Sequence, residues 1–421
     1  MKIKIIVCAA VLVGAIAIAP STAHAGYTVL DTFMSGNGAA NAYGPLIADQ
    51  AGNLYGTSSS GGNSSCVTFS SAGCGTVFEL SPPPAPDHAW TETVLYRFPG
   101  GNGPWLPIAG LTMDAAGDLF GMTTDGDVYD CLTTYCGTAF ELTPPARAGG
   151  KWAETVLYRF TKGDGGFDSS AGLTLDAAGN LYGTTETYGP NHHGTVFRLS
   201  PPVQSGGRWT ETVLTGFERG GNWPIGGVVF DGAGNLYGTT FYGGPQDFGV
   251  VFQLKPTAHG HWTENVLYEF GQNACSPKTN MIFDGSGNLY GTAQGCPALP
   301  GAIFRLARPK HGKSWSESVV AYFRGTSNYD PTTSLTFDGA GNLYGTTASG
   351  GTYGRGTVFQ LKPPPWTETI LYSFRNRDGD FPTSGPIFGL GGALYGTTVD
   401  GGYRGGICKH GGCGVVYKLS P

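Results

Sequence analysis

The chain has 421 residues, 40% hydrophobic and 13% charged, with a formal net charge of −6. That balance excludes a nucleic-acid footprint, which needs clustered Lys and Arg; the one local basic cluster, Arg308, Lys310 and Lys313, reads as a solvated loop. Gly at 71 and Pro at 28 would suggest disorder alone, but with 12% aromatics at regular intervals they indicate many short strands and tight turns.

The chain opens with MKIK, a basic stretch, then the apolar run IIVCAAVLVGAIAIA and the small-x-small site Ala23-His24-Ala25. Those three parts in that order are a secretory signal. Residues 1–25 are therefore expected to be removed and the mature protein to start at Gly26, secreted or periplasmic. Cys8 follows Val7 rather than a small residue, which argues against lipid attachment. Outside the signal, no apolar run in the sequence is long enough to span a bilayer, so no membrane association is expected after cleavage.

From Asp49 onward one string recurs. It reads DQAGNLYGT from Asp49, DAAGDLFGM from Asp114, DAAGNLYGT from Asp176, DGAGNLYGT from Asp231, DGSGNLYGT from Asp284 and DGAGNLYGT from Asp338. A worn copy, GLGGALYGT, begins at Gly389. Each unit holds four strand-like pieces, clearest in the sixth: PTTSLTFD (331–338), NLYGTT (342–347), GTVFQLK (356–362) and WTETILYSF (366–374). These runs are rich in Thr, Val, Tyr and Phe and bounded by Gly or Pro, as strands are. We name them A to D in each unit.

Seven four-stranded units without helical periodicity predict an all-β, seven-bladed propeller over residues 26–421, a single domain. The last unit ends at its C strand, GVVYKLS (414–420), while the N-terminal YTVLDTF (27–33) matches TETVLYRF (91–98). The first strand is therefore expected to complete the last blade and close the ring. A monomer is expected.

The pairing of GNLYGTT with GTVFxL in consistent order resembles the tandem-repeat family called GloVer (Gloeo/Verruco), and the resemblance covers essentially the whole mature chain. It implies an exported bacterial protein, often with a variable C-terminal anchor; here the sequence stops on the propeller strand itself. The resemblance supplies no catalytic residues.

A residue repeated in nearly every blade is more plausibly scaffold than site. Asp49, Asp114, Asp176, Asp231, Asp284 and Asp338 precede the A–B turn, where a carboxylate accepts turn amides and the following Gly takes a positive φ. A ring of calcium sites is disfavoured, since each copy offers one carboxylate and a hard cation wants six or more oxygens. The Trp opening each D strand (Trp90, Trp152, Trp209, Trp262, Trp315, Trp366) reads as packing for the blade edge. The Gly after the B-strand aromatic is expected to receive a ring from a neighbouring blade.

Strand order places the A–B and C–D turns on one face and the D–A and B–C loops on the other. The B–C loops are long in blades 7, 1 and 2, which are neighbours in the closed ring. Eight mature Cys fall on that face, and four local disulfides are expected: Cys66–Cys74, Cys131–Cys136, Cys275–Cys296 and Cys408–Cys413. A rigid, elaborated loop face on a uniform scaffold is where binding sites tend to lie.

Trp105 and Trp223 stand outside the repeat on this face, with Phe167, Tyr329 and Phe381 nearby in register. If exposed, such rings on a neutral Asn- and Gly-rich surface suit stacking on sugars, with Tyr43, Tyr188 and Tyr242 contributing; packing of the channel mouth is the rival reading. The expected partner is a glycan or a cell-surface protein. For catalysis the candidates are Asp168 and Asp330, at matching positions, with Glu186, His192, His193 and Asp380; a polysaccharide hydrolase or lyase is the alternative, and a purely structural envelope protein a third. DGDVYD (Asp125, Asp127, Asp130) lacks the Gly and Glu of a calcium loop. No metal or cofactor is expected.

Overall fold

The structure, a computed structural model, describes residues 26–421 except 35–37, 64, 67–72, 86–87, 101–102, 132–133, 148, 166–170, 205, 219–220, 259, 297–298, 311–313, 324–330, 332, 364, 406–407 and 409–410. Along 127–135 nothing is said of side chains.

Seven four-stranded antiparallel sheets follow one another along the chain, six of them with their strands laid side by side in chain order. In blade 6 the strands are Thr336–Phe337 (A), Leu343–Thr347 (B), Thr357–Lys362 (C) and Thr367–Ser373 (D). Blade 7 joins Ile387–Phe388, Leu394–Thr397 and Val415–Ser420 to the N-terminal strand Gly26–Thr32. Gly26 pairs with Ser420 and Thr32 with Val415, so the two ends of the chain share one sheet and the ring is closed as the sequence implies.

Strand A is shorter than the predicted 331–338: only two residues pair in every blade. The reason is crowding at the axis, where neighbouring blades meet backbone to backbone. A Cβ on Gly44 would stand 2.8 Å from the Ala109 carbonyl, and one on Gly226 2.7 Å from that of Thr279. Chains this close to the axis bend across one another instead of pairing further outward. Strands B and C are buried along nearly their whole length, whereas D is mostly half-buried or exposed, as an outer edge is. Each C–D pairing carries a register shift at the same place, such as Val77/Phe78 and Val358/Phe359, which adds the local twist a bulge provides.

The Gly after the B-strand aromatic does accept a ring, but from its own blade. Gly238 pairs with Phe252 of strand C, and Phe252 lies over the bare backbone. The cross-strand partner reaches this site first, because it stands directly opposite in the ladder. Neighbouring blades meet one layer further on. The Phe ending each D strand packs on the C-strand ring of the next blade: Phe98 on Phe140, Phe160 on Phe197, Phe217 on Phe252, Phe270 on Phe304 and Phe323 on Phe359, with centroids 4.9–5.2 Å apart. Phe374 on Tyr417 carries the ladder into blade 7, and Phe33 on Phe78 carries it on to blade 1.

The D-strand Trp residues also bridge blades rather than finish an edge. Trp262 packs on Tyr182, Trp315 on Tyr237 and Trp366 on Tyr290, each ring belonging to the preceding blade. Blade 7 has no such Trp. Its D strand instead offers Tyr27, stacked on Tyr372 at 3.7 Å, with the Tyr27 hydroxyl donating to the Asp378 carbonyl.

The A–B turns show why Asp recurs. One Asp231 oxygen accepts the amides of Ala233 and Asn235, and the other accepts Asn235 Nδ2 and the Tyr237 hydroxyl at 2.8 and 3.0 Å. Burial opposes the charge of Asp231, but these hydrogen bonds outweigh it and hold the carboxyl below its ordinary range. The same four bonds recur at Asp176, Asp284 and Asp338. Blade 2 carries Asp118 and Phe120 in place of Asn and Tyr, and Asp114 accepts the two amides. In blade 7, Gly389 replaces Asp and a short 3-10 turn, Leu390–Gly392, takes over.

Candidate functional site

The D–A segments converge on the axis, and their register is counted back from the turn Asp, or Gly389 in blade 7. Five residues before it stand Gly44, Ala109, Ala171, Gly226, Thr279, Thr333 and Ser384, all small. B-strand hydroxyls tie this level to the next blade: Thr57 donates to the Ala109 carbonyl at 2.8 Å, Thr184 to Gly226 at 3.1 Å and Thr346 to Ser384 at 3.0 Å. A rigid collar results.

Six residues before the turn stand Tyr43, Ile108, Ser170, Ile225, Lys278, Thr332 and Thr383. Tyr43, Ile108, Ile225, Lys278 and Thr383 line a cavity of about 280 Å³ at the channel mouth, with Asn280, Ser334 and Ser384 deeper in its wall. Asn280 Oδ1 accepts the Gly227 amide at 2.6 Å, which fixes that side chain. The cavity is thus a small bowl of hydroxyls, one amide, aliphatic rims and one ammonium.

Eight residues before the turn the chain enters the left-handed region in every described blade: Asn41, Leu106, Trp223, Ser276 and Phe381 have φ between 56° and 62°. Asp168 and Asp330 hold this register in blades 3 and 6, but both lie outside the described residues, as do Phe167 and Tyr329.

Trp105 and Trp223 prove to stand in different registers, nine and eight residues before the turn. Trp105 is half-buried against the cluster around Phe98, and its backbone pairs with Asp125. Trp223 is 41% exposed, and its ring meets Tyr242 edge-on at 5.4 Å. A two-residue ladder, Gly221–Asn222 against Tyr242–Gly243, holds the two rings side by side. Tyr242 in turn contacts Phe241 at 4.6 Å, and Lys278 Nζ stands 5.5 Å from the Phe241 ring. An aromatic strip therefore runs from the exposed Trp223 to the cavity wall.

The other candidates are scattered. Tyr43 is exposed on the blade 1 sector of the rim, its carbonyl accepting the Thr383 hydroxyl at 3.1 Å. Tyr188 is half-buried against the blade 2–3 core and bridges to His193, whose carbonyl accepts the Trp223 amide at 3.1 Å. His192 is exposed and Glu186 half-buried.

The structure does bring two carboxylates together, Asp380 and Asp400, through a backbone bridge between the D–A and B–C loops of blade 7. Asp380 Oδ2 accepts Arg355 at 2.8 Å and Asn376 at 3.0 Å. Burial, and then the charge of Asp380, push the Asp400 carboxyl upward. Braced this way by Arg355 of blade 6 and by Asn41 of blade 1, whose amide reaches Asp400 Oδ1 at 3.5 Å, the pair acts as a clamp across three blades.

Disulfides Cys66–Cys74, Cys275–Cys296 and Cys408–Cys413 stiffen this face and point to an oxidising, extracytoplasmic compartment. Cys136 is also disulfide-bonded; the side chain of its expected partner, Cys131, lies outside the described residues. The long blade 2 loop is in fact a hairpin extension, strands B and C running through Leu119–Cys131 and Thr134–Thr143. Asp125 therefore lies in a strand, and the side chains of Asp127 and Asp130 lie outside the described residues. Among the described residues no group of three or more His, Cys, Asp or Glu gathers as metal ligands would.

The Gloeobacter/Verrucomicrobia repeat family matches residues 64–298 and again 277–421. No curated protein matches the chain in sequence. Similar solved structures include a protein from Bacteroides uniformis described as a candidate 6-phosphogluconolactonase, 12% identical over 76% of this chain and 84% of that one, with a TM-score of 0.47. Another is a Dyadobacter fermentans protein of unknown function, 10% identical over 94% and 99% of the two chains, TM-score 0.46. A third, from Thermus thermophilus and described as a candidate oxidoreductase (glucose dehydrogenase), is 18% identical over 76% and 97%, TM-score 0.42.

Proposed function

We propose a glycan-binding role for this chain, which belongs to the Gloeobacter/Verrucomicrobia repeat family. The observation that carries the reading is Trp223, 41% exposed and held edge-on to Tyr242 at the margin of a bowl lined by Asn280, Thr279, Ser334, Thr383 and Ser384. A flat ring offers the apolar face on which a pyranose stacks, and the hydroxyls and amide match sugar hydroxyls as both donors and acceptors. The collar below is rigid, so little ordering cost accompanies binding. Export through cleavage after residue 25 would place this face outside the cytoplasm, where polysaccharides are met.

A glycan array probed with residues 26–421 and with its Trp223→Ala variant tests the proposal. Wild type is expected to retain a defined set of oligosaccharides, and the variant to lose about tenfold or more in affinity for them, the size of a central aromatic anchor. Equal binding by the two proteins would remove Trp223 from the site. An array on which wild type retains nothing would remove the glycan reading itself.

A further inference from the structure

We infer that the channel mouth selects an anionic sugar, a glycan bearing a carboxylate or sulfate, by pairing that group with Lys278 while a neighbouring ring lies on Trp223. The inference rests on the glycan-binding reading and names its ligand class.

The register argument carries it. Of the seven residues that stand six before the A–B turn, six are neutral and one is Lys278. Four of the neutral ones share the cavity wall with it, so a single ammonium stands on an otherwise uncharged ring. Lys278 is half-buried, and its ammonium has the Phe241 ring as its neighbour at 5.5 Å. Among the described residues no carboxylate is within ion-pair distance of it. An ammonium with no carboxylate beside it is open to a charge-assisted bond with an anionic group of a ligand. Asp380, on the blade 7 side of the mouth, is engaged by Arg355 and Asn376, and Asp247, on the loop that carries Phe241, accepts the Gly243 amide.

Position supplies the rest. Phe241, under the ammonium, touches Tyr242, and Tyr242 touches Trp223, so cation and exposed indole are the two ends of one contiguous strip. A sugar stacked on Trp223 projects its neighbour along that strip toward Lys278. Asn280, two residues on and fixed by the Gly227 amide, keeps its Nδ2 as a second donor beside the same anion. A neutral sugar would leave the ammonium unpaired; a uronate or sulfated sugar would not.

The test is calorimetric titration with a galacturonic acid hexamer, its carboxyl-reduced neutral counterpart, and a sulfated hexasaccharide. Wild type is expected to bind one or both anionic probes about tenfold or more tightly than the neutral one, as a charge-assisted pair implies, with the preference shrinking as salt rises. Preference for galacturonate alone assigns a carboxylate; preference for both assigns anionic sugars generally. Lys278→Gln is expected to bring anionic affinities down to that of the neutral probe, and Lys278→Arg to restore the preference. Equal wild-type affinities, or a preference that survives Lys278→Gln, would overturn the inference while leaving a Trp223-dependent glycan site standing. No binding of any probe would overturn both.

Discussion

Replacing Phe33 by Ala is expected to destabilise the protein by about 3–5 kcal/mol, the cost of emptying a fully buried aromatic site. Phe33 is completely buried and packs on Phe78 of blade 1 at 5.1 Å, directly after the N-terminal strand whose pairing with Val415–Ser420 closes the ring. Phe160 makes the equivalent contact with Phe197 between blades 2 and 3. If the N-terminal strand is docked in blade 7 as firmly as the D strand of any other blade, Phe33→Ala and Phe160→Ala should lower the urea midpoint by similar amounts with an unchanged slope. A cost below about 1 kcal/mol for Phe33→Ala, beside a full cost for Phe160→Ala, would mean that the N-terminal strand is not docked and blade 7 is left open.

Gly238→Ala is expected to cost about 1–3 kcal/mol, although it adds one methyl to a strand. The three atoms nearest a Cβ at Gly238 all belong to the Phe252 ring, with Cε1 at 2.9 Å, and that ring is completely buried. The ring cannot retreat, because Phe217 of the preceding blade packs on it at 5.0 Å. Phe252→Leu opens room at the same point. In a double-mutant cycle the pair Gly238→Ala and Phe252→Leu should therefore lose about 1 kcal/mol less than the sum of the single changes. Strict additivity would show that the glycine serves some other need than the ring above it.

Much of this architecture was legible because repetition is visible in one dimension. Counting copies of DGAGNLYGTT gave the blades, and the match of YTVLDTF to the D strands gave the closure. The Asp of each turn was readable from its chemistry; its bond to the Tyr six residues on was not, since that depends on strand B folding back over the turn. The Gly–Phe contact is not legible in the same way, because sequence spacing shows which residues recur without showing whether the ring over each glycine comes from its own blade or the next.

The channel mouth was harder to read, since its members come from loops that differ in length before the turn. Trp105 and Trp223 look equivalent in sequence but stand one residue apart in register, so one is half-buried and the other faces outward. Phe241 and Asp400 gave no signal, because only loop geometry brings them to Lys278 and Asp380. Lys278 did have one. Counting back six residues from each turn places it alone among neutral residues.

The central claim is that ligand is taken at the D–A/B–C face, and amide hydrogen exchange with and without a bound oligosaccharide tests it most directly. Protection is expected in 221–226, 240–243 and 276–280, with smaller effects at 41–45 and 381–384. The A–B turns at Asp49, Asp176, Asp231, Asp284 and Asp338 should exchange as before. Protection concentrated in those turns, with the channel mouth unchanged, would place the site on the opposite face and contradict the account.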